Sequence, residues 1–146
     1  MEKRIQIEAA DSAAYKGMYQ LENYLHQSQL TKTHLNLIKT RASQLNQCSF
    51  CIDMHTKEGL ENGEQQQRLF LLNAWRETEL FTEEERIILQ MTEEVTMIHQ
   101  KGLTNKTYQK AIEKFDDQYV SQIIMAIATI NAWNRIGIST HMPLGN

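Results

Sequence analysis

One proline, Pro143, and six glycines in 146 residues leave little of the punctuation that short strands and tight turns require. That scarcity disfavours a β-rich fold. No apolar run approaches the roughly 20 residues of a membrane-spanning helix, which argues against a membrane protein. The stretch Met1 to Ala10 mixes charges with short apolar residues and lacks the apolar core of a secretory signal, so a cytoplasmic location is expected. Nor is positive charge in excess: 15 Lys and Arg face 18 Asp and Glu, for a net charge of −3. No nucleic-acid footprint follows from such a balance, and the neighbouring Lys32, Lys39 and Arg41 read as a solvated helix face. Cysteine is also scarce, with two residues, both inside one motif.

What is present describes a helical protein. Hydrophobic residues make up 41% of the chain and charged residues 23%, the balance of a globular domain rather than a disordered one. Gln, Glu, Leu, Met, Lys and Ala favour helices, so the expected class is all-α, in one domain spanning residues 1–146. Asp11 or Ser12 caps a first helix running to Gln29, with Tyr15, Met18, Tyr19, Tyr24 and Leu25 on its stripe. Thr31 or Thr33 caps a second, carrying Leu35, Leu37, Ile38, Ala42 and Leu45, and Asn46 marks its break. A third is expected from about Gln47 to Leu60 and a fourth from Gln65 to Trp75. Thr82-Glu83-Glu84-Glu85 opens a fifth, with Ile87, Ile88, Met91, Val95 and Ile98 as its buried stripe. Thr104 opens a short helix through Tyr108, Ile112 and Phe115. The last, from about Asp117 to Ile138, is apolar around most of its circumference, as expected of a bundle centre or a subunit interface. Such a face is hard for a small chain to bury alone, so a homo-oligomer is expected.

The two cysteines stand in Cys48-Ser49-Phe50-Cys51, with His55 four residues after the second. On a helix, Cys51 and His55 return to the face of Cys48 within about 60°. Two thiols able to close a disulfide, with a base beside one of them, make a redox device. A thiolate is the attacking species, and a helix N-terminus favours it, while His55 can accept or relay the proton. The second cysteine can then resolve a sulfenic acid as an internal disulfide. Two other readings stay open. Cys48, Cys51 and His55 are permitted zinc ligands, with a fourth from His26, His34, His99 or His141, and the thiols could be inert and buried. Those four histidines, with Trp75 and Trp133, otherwise read as packed or surface residues.

The run Arg41 to His55 resembles the signature of the alkylhydroperoxidase D-like branch of the carboxymuconolactone decarboxylase family. The resemblance continues through Ala74-Trp75-Arg76, Phe81 with Glu85-Arg86, Thr92-Glu93 with Val95-Thr96, and Ala126 to Arg135. It covers the chain from about Leu35 to Ile138. It implies an all-helical fold that associates into trimers or hexamers, and a peroxidase that reduces a hydroperoxide with electrons from a dithiol or a protein thiol. No cofactor or metal is implied. Cys51 would be the peroxidatic cysteine, Cys48 the resolving one, and His55 part of a proton relay. Decarboxylases of the same superfamily lack the cysteine pair, so that activity is disfavoured. A redox sensor or interaction protein, or a general thiol–disulfide oxidoreductase, could use the same disulfide.

One position departs from the pattern. The relay glutamate expected twelve residues before the first cysteine is Asn36, which cannot exchange a proton at neutral pH. Glu93 is the first substitute, by its place in the family-like segment, and Glu85 the second. A helical wheel sets Glu93 away from the Ile87–Met91–Val95 stripe, toward a second, more polar contact surface.

Overall fold

The computed structural model describes residues 2–144, which are helical with no strand among them. In chain order they form α1 (Ile7–Ala10), α2 (Ser12–His26), α3 (Lys32–Asn46), α4 (Ser49–Glu61) and α5 (Gln66–Leu71). A 3-10 segment (Leu72–Glu77) follows, then α6 (Glu83–Thr96), α7 (Asn105–Lys114) and α8 (Asp117–Ser139).

Side-chain caps decide most of the starts. Asp11 accepts from the Ala14 amide at 3.3 Å and Thr31 from that of His34 at 3.1 Å. Thr82 and Glu85 form a reciprocal capping box at α6. Thr104 accepts from Thr107 at α7, and Asp116 from Tyr119 at 2.8 Å at the head of α8. Each satisfies an amide that the first turn leaves without a carbonyl.

The fourth expected helix is split. α5 ends at Leu71 and Ala74 leaves helical geometry (φ −115°, ψ 24°). Arg86 reaches back from α6 to the carbonyls of Trp75, Arg76 and Thr78, so a guanidinium takes the place of the next helical turn. Ile98 lies beyond the end of α6 and is 62% exposed, while Leu89 is fully buried. Likewise α7 buries Thr107 and Ala111, and leaves Tyr108 and Ile112 partly exposed. The short α1 lies where no helix is expected from the sequence.

At the centre α3 packs against α4, α6 and α8, and α6 and α8 close the core behind it. Ile38, Ala42, Ile88, Met91, Ile123, Ile127 and Ile130 fill the main cluster with no exposure. Leu37, Leu72, Trp75, Phe81 and Leu89 form a second cluster on the other side of α6. α8 packs into this core beside α3, and one chain buries Ile123, Ala126, Ile127 and Ile130 by itself. These four residues need no second subunit, whereas Ile138 near the end of α8 is 43% exposed.

The junction between α3 and α4 is a Schellman-type stop. The Cys48 amide bonds to the Ser43 carbonyl at 3.0 Å and that of Gln47 to Gln44 at 3.2 Å. Gln47 sits in the left-handed region at φ 57°, where a Cβ is unfavourable. Gln47→Gly should therefore stabilise the protein by about 0.5–1 kcal/mol, read as a higher urea midpoint at unchanged m-value.

Candidate functional site

Amides hold the α3–α4 junction to α8. The Asn46 side chain donates to Asn134 at 2.8 Å and to Asn131 at 3.0 Å. Asn134 donates onward to the Ser43 hydroxyl, and Asn131 to that of Thr96, at 3.0 and 2.9 Å. Two residues past Asn46, Cys48 caps α4, its sulfur accepting from the Cys51 amide at 3.4 Å. The two sulfurs are joined as a disulfide, 1% and 3% exposed by residue. Gly137 of α8 backs the pair: a Cβ there would lie 3.2 Å from the Cys48 sulfur and 3.6 Å from that of Cys51.

Cys51 and His55, one turn apart on α4, line a cavity of about 730 Å³ at the meeting of α2, α4 and α8. Cys48 lies behind it. His55 is buried, and its Nδ1 is 3.0 Å from the Glu58 carboxylate one turn further on. That hydrogen bond outweighs burial and holds the Glu58 carboxyl below its ordinary range, with the charges of His55 and Lys39 adding to the effect. The cavity wall also carries a buried ion pair. Lys39, 4% exposed, meets Glu22 at 2.7 Å, and the Trp133 indole donates to the other Glu22 oxygen at 2.9 Å. Lys39 is therefore no part of a solvated face.

Asn36 grips α4 from below. Its Nδ2 donates to the His55 carbonyl at 2.7 Å, and its Oδ1 packs on Gly59, 2.6 Å from where a Cβ would stand. Whereas a glutamate there could trade protons, Asn36 anchors the turn that carries His55.

Of the four site residues expected from the sequence, Cys48, Cys51 and His55 come together, and Glu93 lies elsewhere. Glu93 accepts from the Trp75 indole at 2.8 Å, from Arg41 at 2.9 Å and from Arg76 at 2.6 Å. This is the polar contact surface anticipated from the wheel, and it is apart from the cavity lining. Burial raises the Glu93 carboxyl, but its donors and the Arg41 charge outweigh that and hold it low. Glu85 is similarly committed to Arg68 at 2.7 Å and to the Thr82 amide. Neither carboxylate bonds to His55. Among the described residues no cluster of three His, Cys, Asp or Glu side chains could hold a metal ion, and none of their helices is long and apolar enough to cross a membrane.

Residues 12–94 match the model of the carboxymuconolactone decarboxylase family. The chain belongs to that family. An uncharacterized protein of Bacillus subtilis, YdfG, is 36% identical over 139 residues, 95% of each chain. A structure from Agrobacterium tumefaciens superposes with a TM-score of 0.96 at 36% identity over 99% of both chains. It is a protein of unknown function provisionally designated an AhpD antioxidant defence protein, which puts the present chain in the AhpD-like branch. An uncharacterized peroxidase-related protein from Silicibacter shares the fold, with a TM-score of 0.80 at 19% identity over 89% of this chain and 69% of its own.

Glu58, Glu22, Lys39 and Trp133 are site residues that the sequence reading missed. Only Glu58 had a local signal, three residues after His55 and hence on its face. Its depressed carboxyl has a consequence for stability. A folded pKa below the unfolded one adds stability above the unfolded value, lost as pH falls through the folded one. Glu58→Gln should therefore lose less stability than wild type when urea unfolding is moved from pH 7 to pH 3.5. An equal loss in both would remove the His55–Glu58 bond from the account.

Proposed function

We propose that the protein is a thiol-dependent peroxidase reducing organic hydroperoxides through Cys51 and Cys48. The observation that carries this reading is that Cys51 and His55 face one cavity while Cys48, bonded to Cys51, stands behind it. In the reduced enzyme His55, oriented by Glu58, takes the Cys51 proton. The thiolate attacks the terminal oxygen of the hydroperoxide, the O–O bond breaks, and the alkoxide leaves as the alcohol with the proton from His55. Cys51 is now a sulfenic acid. The Cys48 thiol attacks it, forming the disulfide and releasing water. A dithiol returns both cysteines to thiols and departs as its own disulfide. Hydroperoxide and dithiol thus become alcohol, water and a disulfide.

Glu58 takes the role for which the sequence suggested Glu93. A carboxylate hydrogen-bonded to Nδ1 fixes the imidazole tautomer and supports its charge, leaving Nε2 for the proton transfer. The acidic end of this relay has moved from α3, where the family pattern puts it, to α4 itself. Assembly as a trimer or hexamer and a cytoplasmic thiol donor belong to the same proposal, the assembly resting on the resemblance alone.

Dithiothreitol-dependent consumption of cumene hydroperoxide tests the reading. Cys51→Ser and Cys48→Ser should abolish turnover, and Glu58→Gln should lower it about tenfold or more, the lower end of a general acid–base contribution. Turnover surviving in Cys51→Ser would overturn the proposal. A single stoichiometric oxidation in wild type would point to a redox sensor.

Glu93→Gln separates the two carboxylates. It should keep turnover within about twofold but cost stability, about 1–3 kcal/mol for unpairing a largely buried charged network, measured by urea unfolding. A tenfold loss of turnover at unchanged stability would return the relay to Glu93.

A further inference from the structure

The walls of the Cys51 cavity constrain what can enter it. At about 730 Å³ the space is far larger than hydrogen peroxide needs and lies in the range of sites for small organic molecules, ~300–1,000 Å³. One wall is aromatic. Tyr15, Tyr19 and Trp133 form a cluster with ring centroids 5.2 to 6.0 Å apart, and Phe50 and Met54 extend the apolar surface on α4.

The charges around that wall are of one sign once pairs are removed. Of the lining lysines, Lys39 is held by Glu22 at 2.7 Å and Lys57 by Asp53 at 2.9 Å. Glu58 is hydrogen-bonded to His55, while Glu8 and Glu61 also line the cavity and meet no Lys or Arg among the described residues. Among the described residues Glu8 accepts from the Tyr19 hydroxyl alone, at 3.3 Å. Besides Cys51 and the tyrosines Tyr15 and Tyr19, the described lining adds the exposed imidazole of His26. A substrate carboxylate entering here would lose water and find no unpaired lysine or arginine, and it would feel the field of Glu8 and Glu61.

We infer that the site selects uncharged organic hydroperoxides with an aromatic or branched apolar body and discriminates against hydroperoxides that carry a carboxylate. The inference rests on the peroxidase reading and adds the substrate class. Specificity of this kind comes as much from the repelled competitor as from the favoured substrate.

The test pairs cumene hydroperoxide with its para-carboxylate analogue, two molecules alike in shape and unlike in charge. With the protein, dithiothreitol as donor and pH 8, kcat/KM for cumene hydroperoxide should be at least fivefold higher at low ionic strength. The ratio should shrink in about 0.3 M salt, as screened charges require. Glu61→Lys should also shrink it, by raising the carboxylate's kcat/KM relative to that of cumene hydroperoxide. Equal or better turnover of the carboxylate by wild type, or a ratio that neither salt nor Glu61→Lys changes, would overturn the inference and leave the peroxidase reading standing. If dithiothreitol reduces the disulfide yet neither peroxide is turned over, the peroxidase reading falls and the selectivity with it.

Discussion

The position of both sulfurs depends on a handful of amide hydrogen bonds between α3 and α8. Asn46, the last residue of α3, is tied to Asn131 and Asn134, and Asn134 in turn to Ser43. Buried polar groups are costly unless satisfied, and a satisfied network accepts only one arrangement of its helices. Because Cys48 caps the next helix, the network sets where α4 begins and which way it points. Asn36 sets the rest by holding the His55 carbonyl from α3. The disulfide and His55 are therefore located by polar contacts, while the apolar clusters supply the bulk of the core.

Carboxylates of one chemistry serve different ends because their surroundings differ. Glu93 collects an indole and two guanidiniums, and Glu85 a guanidinium and a backbone amide; both are tied into structure and kept ionised. Glu58 has one side-chain partner, His55, and stands partly exposed at a cavity. Only the last arrangement lets a carboxylate respond to a change in charge on the imidazole. Glu22 is an intermediate case, bound to Lys39 and Trp133 yet lining the same space.

Much of the fold was legible because helix starts are local. Asp11, Thr31, Thr82 and Thr104 announce themselves by residue type and by the pattern that follows. The ends were less so: the break at Ala74 depends on Arg86 reaching back from another helix, and Ile98, Tyr108 and Ile112 are apolar residues that tertiary packing leaves outside. At the site, the cysteines and His55 were readable from spacing alone. Glu58 carries the same helical spacing, but the family-like segment points to Glu93, and a segment pattern does not say which partner a side chain meets. Lys39, Glu22 and Trp133 had no local sign, since their pairing joins α3, α2 and α8 across as many as 111 positions.

Gly137 gives the disulfide a front and a back. With α8 backbone pressed against the sulfurs, the bonded pair has a wall on one side and open space on the other. Two unbonded sulfurs stand farther apart than two bonded ones, so reduction must find room, and the room lies on the cavity side. Cys51, which lines the cavity, is the sulfur with space beside it, whereas Cys48 has α8 at its back. The close seat of both sulfurs on α8 exists because residue 137 lacks a methyl group, which would stand 3.2 Å from the Cys48 sulfur.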